Sequence, residues 1–460
     1  MAGTGEQQAR DVDEHLRRAL ALVAPLPVRV VPVADALGAV VAEDVHAAVP
    51  VPPFDGAAMD GYAVRLADLP PDGAPVTLPV AGDVAAGPGR TPALAPGHAV
   101  RIMTGAPLPA GADAVVPVEH TSTGRFVAGA PRTEEAVTLA RRPRTHVRAA
   151  GEDVGRGDLL ARPGTVVTPA LVGALVASGA VDVPVRRRPV VAVISTGAEL
   201  VPAGTTLGPG QITDSNGPML AAAATAAGAD VVRLGPVPDD PAALRAALDA
   251  AVDPAEDPAA TGAGRSGAGT AGARPGGVDL VVTAGGVSAG AADVVRELLA
   301  AAPPGLTDPD VAAVALSPGR PQALARWRGV PWLALPGNPV GAYASFALFA
   351  RPAIDRLRGA LPQTCLPVPT PSTPSDAPGR TSLPAAAVLP GSPGRLLVVP
   401  VRLAPLPGAG HDTGPGTVGV APAGSRHSLS ALATADGLAL VPPGVEKVRV
   451  GDLLEVLVLR

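Results

Sequence analysis

A glycine-rich loop, Ala284-Gly-Gly-Val-Ser-Ala-Gly290, lies between an apolar run and a helical pattern, and its composition suits the binding of an anion. Glycines let backbone N–H groups approach a ligand closely, and the N-terminus of the following helix favours negative charge. Asp293 falls in the first turn of that helix. Its carboxylate either complements the helix dipole or holds Mg²⁺ or a ligand hydroxyl. A glycine-rich turn by itself discriminates poorly between a site and a structural connection.

Two further loops combine polar side chains with a glycine: Ser195-Thr-Gly-Ala-Glu199 and Leu335-Pro-Gly-Asn-Pro339. Each loop meets a continuous apolar run of the kind found in buried strands, so we expect both to open on the same sheet edge as the first loop. Glu199 suits a metal or a ligand N–H group as well as it suits a solvated loop. Asn338 is best interpreted as a helix N-cap, whereas Gly337 admits a ligand to the backbone.

Acidic residues also precede two predicted helices. In Thr213-Asp-Ser-Asn216, either Ser215 or Asn216 serves as an N-cap,. In Asp239-Asp240-Pro241, capping explains Asp240, because a proline takes the first helical position after it,. Asp239 has no such role, so it is the better candidate for a site.

Two turn-rich segments earlier in the chain concentrate Met, Phe and Tyr, which are rare elsewhere: Phe54-Asp-Gly-Ala-Ala-Met-Asp-Gly-Tyr-Ala63 and Ile102-Met-Thr-Gly-Ala-Pro107. Phe54, Met59 and Tyr62 predict a small local core. Asp60 and Thr104 are polar, lie next to glycines and need another explanation.

The elements that must position these loops alternate between strand and helix from residue 187 onward, which indicates βαβ units and a parallel sheet. The predicted strands cover residues 189–194, 231–234, 278–283 and 330–335. The predicted helices cover residues 217–227, 241–252 and 291–301, with a long helix that ends near residue 357.

The length of 460 residues predicts several domains in a multidomain α/β plus β fold,. An elongated N-terminal module of helices and strands covers 1–49 and 149–186, with a small β domain inserted at 50–148. A central parallel-sheet α/β domain covers 187–360, and a small C-terminal β domain of barrel type covers 379–460. Composition predicts a disordered insertion at 253–277 and a linker at 361–378. We expect the helices at 11–24 and 169–178 to pack on each other.

Composition excludes several classes of function. The net charge of −5, without a long basic run, argues against nucleic acid or an anionic membrane as the partner,. Cys365 is the single cysteine, so no intramolecular disulfide or thiolate cluster can form,. No apolar stretch approaches the ~18 residues of a membrane span, and early acids are unlike a signal peptide. We expect a soluble cytoplasmic protein that binds small molecules.

Together these segments resemble the molybdopterin molybdenumtransferase family, which includes MoeA-like proteins and the matching domain of gephyrin. The matching motifs are Phe54-Asp-x-x-Ala-Met-Asp-Gly-Tyr62, Ile102-Met-Thr-Gly-Ala106, Gly151-Glu-Asp-Val154, Ser195-Thr-Gly-x-Glu199, Asp214-Ser-Asn216, Asp239-Asp-Pro241, Gly285-Gly-Val-Ser288 with Asp293, and Pro336-Gly-Asn-Pro339. They follow the family's order and cover nearly the whole chain. Each motif is modest, but the ordered set is highly specific.

The resemblance implies an elongated four-domain subunit that forms a homodimer. Its ligand would lie in a cleft between the α/β domain of one subunit and the inserted β domain of the other. The implied activity belongs to molybdenum cofactor biosynthesis: molybdate enters adenylylated molybdopterin, AMP is released, and Mg²⁺ assists. Implied protein partners are the molybdopterin adenylyltransferase and the molybdoenzymes that receive the cofactor.

The resemblance also implies roles for single residues. The implied catalytic residues are Asp60, Thr104, Glu199, Asp239, Asp293 and Arg320, with Asp239 and Asp293 as Mg²⁺ ligands. The implied cofactor-binding residues are Ser195, Thr196, Gly197, Asp214, Gly285, Gly286, Ser288, Gly337, Asn338 and Ser425. The match at Ser425 is weaker, because the spacing around it departs from the family pattern.

One cationic stretch departs from the family. Where the family carries Lys-x-x-x-Lys-Pro-Gly-Lys-Pro, this chain has Ala313-Val-Ala-Leu-Ser-Pro-Gly-Arg-Pro321. Arg320 keeps a positive charge, but Ala313 and Ser317 do not. Molybdate and phosphate are anions whose binding and turnover need local cations, so this loss bears on activity.

Other arginines are candidates to supply the missing charge: Arg296, Arg326 and Arg328. The loss of two lysines leaves an alternative to catalysis, a diverged molybdopterin-binding or scaffold protein. A third hypothesis is an adenylyltransferase-type activity, because the family of the preceding step shares the α/β domain.

Overall fold

The structure, a computed structural model, describes residues 9–89, 91–126, 134–253, 277–288, 293–360, 380–406 and 418–459. The predicted insertion at 253–277 lies outside these residues except for its two ends, and the predicted linker at 361–378 lies wholly outside them. The described chain forms several sheets, some of them mixed, with flanking helices, as a multidomain α/β protein does,. None of its described helices has the length and hydropathy needed to cross a bilayer.

Residues 9–49 contribute one helix and three short strands: α1 (Val12–Ala21), β1 (Val28–Pro32), β2 (Val40–Val41) and β3 (Val45–His46). Asp11 starts α1, because its carboxylate accepts the backbone N–H groups of Asp13 and Glu14,. The buried face of α1 comprises Val12, His15 and Ala19. Val12 and Ala19 join the core of the later α/β unit, and His15 packs against Phe349 of that unit.

Residues 50–148 form a β unit with seven strands: β4 (Gly56–Ala57), β5 (Gly61–Val64), β6 (Val76–Val84), β7 (Ala99–Ile102), β8 (Ala114–Pro117), β9 (Ala136–Leu139) and β10 (Val147–Arg148). Five of them build a sheet in the order β8-β5-β7-β6-β9. Tyr62 is fully buried in it and donates to Glu134 at 2.7 Å. Burial raises the pKa of Tyr62 to about 12. The core prediction is correct for Tyr62 but wrong for Phe54 and Met59, which are 44% and 39% exposed.

Residues 149–186 return to the first segment with β11 (Leu159–Ala161), α2 (Pro169–Ala177) and β12 (Asp182–Arg186). β12 pairs with β1 and β2, and β11 pairs with β3, so residues 50–148 are inserted into one small module. In α2, only Leu175 is buried, and it packs within that module. The prediction that α1 and α2 pack together is wrong, because α1 buries its apolar face against the α/β unit.

Residues 187–360 form the α/β unit, with β13 (Val190–Thr196), β14 (Leu200–Val201), β15 (Ile212–Thr213), α3 (Asn216–Ala226), β16 (Asp230–Val237), α4 (Pro241–Val252), β17 (Leu280–Ala284), α5 (Val294–Ala301), β18 (Leu306–Ala313), β19 (Leu316–Ser317), β20 (Pro321–Trp327), β21 (Val330–Leu335), α6 (Pro339–Ser345) and α7 (Arg351–Arg358). A π-helical turn at Phe346–Ala350 joins α6 to α7. The main sheet has the order β16-β13-β17-β21-β20-β18. All four predicted strands lie in it.

The expectation of a parallel sheet is wrong at one edge. β16, β13, β17 and β21 are parallel, but β20 and β18 are antiparallel additions that the sequence reasoning missed. β20 and β21 are antiparallel because a two-residue hairpin turn joins Trp327 to Val330. Arg328 and Gly329 have φ values of 47° and 84°. Positive φ at both positions is the geometry of the type I′ turn, which joins antiparallel strands.

Residues 380–459 form the last β unit, with β22 (Arg380–Pro384), β23 (Leu389–Pro390), β24 (Leu396–Pro405), β25 (Val418–Pro422), α8 (Leu429–Ala433), β26 (Gly437–Val441), β27 (Lys447–Val448) and β28 (Leu453–Val458). Its sheet has the order β19-β24-β26-β28-β22, with β25 on β24. A bridge between Ala385 and Val420 links β25 to the end of β22, so the strands curl towards a barrel. β19, from the α/β unit, completes this sheet.

His15 marks the contact between α1 and the α/β unit. Its ring is 1% exposed and meets the ring of Phe349 edge-on, with centroids 4.7 Å apart. Arg10 lies 3.3 Å from His15 Nδ1 and makes a bidentate ion pair with Asp310 at 2.8 and 2.6 Å. Burial, reinforced by the charges of Arg10 and Arg18 and opposed by Asp310, lowers the pKa of His15 to about 4.

We predict that acid weakens this contact. The pKa of His15 falls from 6.5 to about 4 on folding. The contribution of neutral His15 to the free energy of unfolding is therefore complete above pH 6.5 and declines as the pH falls towards 4,. The free energy of unfolding lost over this range is about 3 kcal/mol. Urea unfolding followed by the fluorescence of Trp327 and Trp332 measures it. His15→Gln should flatten the pH dependence, whereas His120→Gln, at an exposed position, should preserve it; equal slopes in all three proteins would contradict the assignment.

Candidate functional site

The carboxyl ends of the four parallel strands meet at one edge of the main sheet. The crossover after β13 leads to β16 on one side, whereas the crossover after the neighbouring β17 leads to β18 at the opposite side of the sheet. Open α/β sheets bind ligands at such a switch point, outside the carboxyl ends of the strands. The loops after β13 and β17 are those that the sequence singled out, Ser195 to Glu199 and Gly285 to Ser288.

A close backbone contact joins these two loops. Gly285 and Gly286 have φ values of 104° and 64°, a region that only glycine adopts without strain,. A Cβ on Gly285 would overlap the carbonyl oxygen of Thr196, and a Cβ on Gly286 would lie 2.7 Å from the side chain of Val294. Gly285 also donates its N–H to the carbonyl of Leu335 at 3.1 Å. Glycine is therefore required for this loop to lie directly between β13 and β21.

The first turn of α3 is tied to the same edge. Asp214 is buried, and its carboxylate accepts the Ser195 hydroxyl at 2.7 Å and the Gly217 N–H at 3.0 Å. Asp214 therefore accepts a free backbone N–H group at the start of α3. The prediction that Ser215 or Asn216 caps this helix is wrong. Asn216 instead donates its side-chain amide to the carbonyl of Gly337 at 2.7 Å. The sequence reasoning missed this role because capping seemed sufficient to explain an asparagine before a helix.

Asp239 and Glu199 flank the loop after β13. The Asp239 carboxylate accepts the N–H of Ala198 at 3.0 Å, and both acidic side chains are exposed at the edge. Glu199 folds back over the loop, so that a Cβ on Gly197 would lie 2.6 Å from its carboxylate. Asp240 caps α4 by accepting the N–H of Ala242 at 3.0 Å, as predicted. Asp239 thus remains free to face a ligand with its second oxygen.

Asp293 stands at the start of α5 and is 8% exposed. Its Oδ1 accepts the Ser288 hydroxyl at 3.0 Å. Its Oδ2 is buried without a hydrogen-bond partner among the described residues, as are Thr196 Oγ1 and Asn216 Oδ1. Buried polar atoms are nearly always paired in folded proteins. Three unpaired atoms at one strand edge therefore fit a polar ligand better than a purely structural loop.

Arg320 reaches this edge through the antiparallel strands. β20 pairs with β21 so that Ala323 lies opposite Ala334, which places Arg320 beside the turn that contains Gly337. β18 pairs with β20 so that Ala313 lies opposite Pro321. The segment 313–320 therefore lies at the ligand edge. Arg320 Nε is buried and has no partner among the described residues.

Two of the three arginines proposed to replace the lost lysines are wrongly placed. Arg326 lies opposite Pro331, at the far end of β21, and donates to the carbonyl of Leu22 at 2.8 Å. Arg328 lies beyond it in the hairpin turn and pairs with Asp249 at 2.9 Å. Arg296 alone stays near the site, where it donates to the carbonyl of Ser288 at 3.1 Å.

Asp60 and Thr104 pair with each other in the inserted β unit. Both the backbone N–H and the hydroxyl of Thr104 donate to Asp60 Oδ1, at 2.7 and 2.8 Å. Both residues are exposed, as is Ser425 before α8. Within the described parts of the chain, no hydrogen bond or ion pair joins any of the three to the loops of the main sheet. The described hydrogen bonds therefore join the loops of the sheet to one another but do not join these three residues to them.

The fold and site define a multidomain α/β protein with glycine-rich loops and unpaired buried polar atoms at the switch point of a mixed sheet. Three family models match the chain: "MoeA N-terminal region (domain I and II)" over residues 10–179, "Probable molybdopterin binding domain" over 192–258 and 270–356, and "MoeA C-terminal region (domain IV)" over 382–459.

Among curated relatives, Molybdopterin molybdenumtransferase 2 of Mycobacterium tuberculosis is 39% identical over 453 residues, which cover 97% of this chain and 99% of that protein. Molybdopterin molybdenumtransferase of Haemophilus influenzae is 33% identical over 327 residues, or 71% of this chain and 72% of that protein. A solved molybdopterin biosynthesis MoeA protein from Pyrococcus horikoshii has a TM-score of 0.68 and 27% identity, covering 98% and 99% of the two chains. The chain belongs to the molybdopterin molybdenumtransferase family.

We predict that Gly285→Ala destabilises the α/β unit by at least ~2 kcal/mol, because a methyl group adds overlap with Thr196 to the strain of positive φ,. Gly329→Ala is the matched control, since Gly329 has φ of 84° with open space around its Cβ position. It should cost only roughly 1 kcal/mol. Both tryptophans lie in this unit, so fluorescence-detected unfolding compares the variants directly. Equal losses of unfolding free energy in the two variants would mean that the close contact between Gly285 and Thr196 does not contribute to stability.

Proposed function

We propose that this chain acts in molybdenum cofactor biosynthesis as a molybdopterin molybdenumtransferase, which inserts molybdate into adenylylated molybdopterin and releases AMP. Membership of the family supports the transferase class, and it does not favour the non-catalytic alternative. The observation that carries the proposal is the set of unpaired buried atoms of Thr196, Asn216 and Asp293 around the Gly285-Gly286 loop. We place this activity in the cytoplasm.

The loop and its neighbours suit a phosphorylated heterocycle. The N–H of Gly285 is bonded to Leu335, but the absence of a side chain at Gly286 lets an anion approach the backbone of the loop that follows,. Ser195 and Ser288 are held by Asp214 and Asp293, so their hydroxyl oxygens keep a fixed direction. A ligand held at several points loses the freedom that would otherwise oppose reaction. These residues therefore bind and orient the substrate.

The acidic residues fit Mg²⁺ when the substrate supplies the remaining ligands. Among the described residues, no three His, Cys, Asp or Glu side chains gather to form a metal cage. Mg²⁺ commonly takes one or two carboxylates, and phosphate oxygens and water fill the other positions. We propose Asp293, through its unpaired Oδ2, and Asp239 as these carboxylates. Mg²⁺ would stabilise negative charge on the phosphate of the leaving AMP.

Arg320 is the proposed binding residue for molybdate. Its buried Nε needs an acceptor, and an oxyanion provides one,. Because Ala313 and Ser317 are neutral, Arg320 carries the charge that this segment contributes to the edge. Arginine offers several N–H donors in a fixed fork, so one arginine can hold two oxygens of an oxyanion.

We predict that Asp293→Asn and Asp239→Asn each lower the rate of molybdate-dependent AMP release by ~100-fold while the protein stays folded. The amide keeps the size of the carboxylate but loses its charge. Asp240→Ala is the matched control, since it removes a helix cap at a cost of about 1 kcal/mol and should leave turnover unchanged. AMP release from adenylylated molybdopterin, measured with Mg²⁺ and molybdate, is the assay. Near-normal turnover of Asp293→Asn would refute its proposed role.

We also propose a homodimer whose partner subunit brings Asp60 and Thr104 to the sheet edge. The N-terminal module supports this, because it exposes apolar side chains of the kind that interfaces cover. Val176 on α2 is 58% exposed, and Val30 and Val181 are 69% and 77% exposed. The adenylyltransferase that supplies the substrate and the enzymes that receive the cofactor are the proposed protein partners.

A composite site predicts complementation between inactive subunits. Asp60→Asn and Asp293→Asn homodimers should each keep only residual turnover, because every site would contain one altered residue. When the subunits are mixed after reversible dissociation, half of the dimers contain one of each, and each mixed dimer regains one intact site. Turnover should recover to about a quarter of the wild-type value. A mixture that stays inactive, although mass spectrometry detects mixed dimers, would place all these residues in one subunit.

A further inference from the structure

The turn that carries Arg320 is held by a buried polar contact outside the candidate site. Gln322 is 1% exposed and Ser345, on α6, is fully buried. The side-chain amide of Gln322 donates to the carbonyl of Gly319 at 2.8 Å and to the Ser345 hydroxyl at 2.6 Å. Its carbonyl oxygen has no partner among the described residues. An amide buried with one end unpaired costs stability, which indicates that its position serves another purpose.

The chemistry of the acceptor decides how the amide is oriented. A backbone carbonyl can only accept, so the NH₂ group of Gln322 must face Gly319. Both N–H groups of that amide are then used, one on the turn and one on Ser345. The side chain thus links the turn before β20 to α6, which begins just after the Gly337 loop.

Packing and backbone bonds hold the turn on its other sides. Gly319 has φ of 115°, and a Cβ there would lie 3.0 Å from the Ser345 hydroxyl oxygen. The backbone of Gly319 also lies against Gly341 on α6. A Cβ on Gly341 would lie 3.3 Å from the backbone nitrogen of Gly319. The carbonyl of Arg320 accepts the N–H of Val314 at 2.7 Å. The backbone on both sides of Arg320 is therefore fixed, although its guanidinium Nε has no partner in the part of the chain that the structure describes.

We infer that Gln322 and Ser345 are positioning residues that fix Arg320 as the oxyanion-binding cation of this protein. The inference rests on the proposed function, since it assigns molybdate as the anion that Arg320 holds. A single arginine replaces several cations most effectively when its direction is set in advance, because little freedom is then lost on binding. Gln322 and Ser345 supply that rigidity without touching the anion themselves.

The test compares Gln322→Leu and Ser345→Ala in the full-length protein. Gln322→Leu frees the turn, so we expect molybdate to bind about tenfold more weakly by isothermal titration, as loss of one or two hydrogen bonds allows. The KM for molybdate should rise by the same factor, with little change in kcat or in the KM for adenylylated molybdopterin. Ser345→Ala keeps the bond to Gly319 and should have a smaller effect. Amide exchange at Val314 should quicken in Gln322→Leu.

Arg320→Gln distinguishes positioning from a general loss of structure. If Gln322 acts through Arg320, Gln322→Leu should weaken molybdate binding no further in the Arg320→Gln background. Equal losses in both backgrounds would overturn the inference, as would unchanged exchange at Val314 or a wild-type protein that does not bind molybdate. If titration and exchange behave as expected but the wild-type protein releases no AMP, the positioning role stands and the proposed reaction fails.

Discussion

The approach of the Gly285-Gly286 loop to Thr196 is the contact on which the site depends. Two neighbouring parallel strands end there, and their loops can lie against each other only if one of them has no side chain. The carbonyl of Gly286 accepts the N–H of Val295 at 3.0 Å, so this loop also sets where α5 starts. The start of α5 in turn determines the position of Asp293 and of Ser288, which is bonded to it. A bulkier residue would move the acidic group away from the edge together with the loop.

The cationic side of the site depends on parts of the chain that are far apart in sequence. The N–H of Arg10 donates to the carbonyl of Ala313 at 2.8 Å, and the carbonyl of Arg10 accepts the N–H of Ala315 at 2.7 Å, so Arg10 and Val314 form a short parallel bridge. From the opposite direction, Leu396 donates to the carbonyl of Ala315 at 2.8 Å. The segment that lost two lysines is thus bracketed by the N-terminal and C-terminal regions.

The N-terminal module is coupled to the site through α3. Arg358, 5% exposed, donates to the carbonyl of Ala227 at the end of α3 and to that of Gly38 in the module, at 2.7 and 3.0 Å. Burial lowers the pKa of Arg358, and the carbonyl oxygens at the helix end stabilise its charge,. The other end of α3 carries Asp214 and Asn216. The module and the ligand edge therefore contact opposite ends of the same helix.

The sequence by itself determined the family, the four parallel strands and most of the polar residues at their ends. Those features are local: apolar runs, capping residues such as Asp240 and Asn338, and glycines in short loops are recognised from a few neighbouring residues,. It failed where a local signal had two meanings. Asn216 was explained by capping, and the Arg328-Gly329 hairpin was missed between two apolar segments. Only the tertiary structure decided that Arg320 reaches the edge while Arg326 and Arg328 lie at the far end. Strand direction and register are set by pairing between distant segments, and no single segment contains that information.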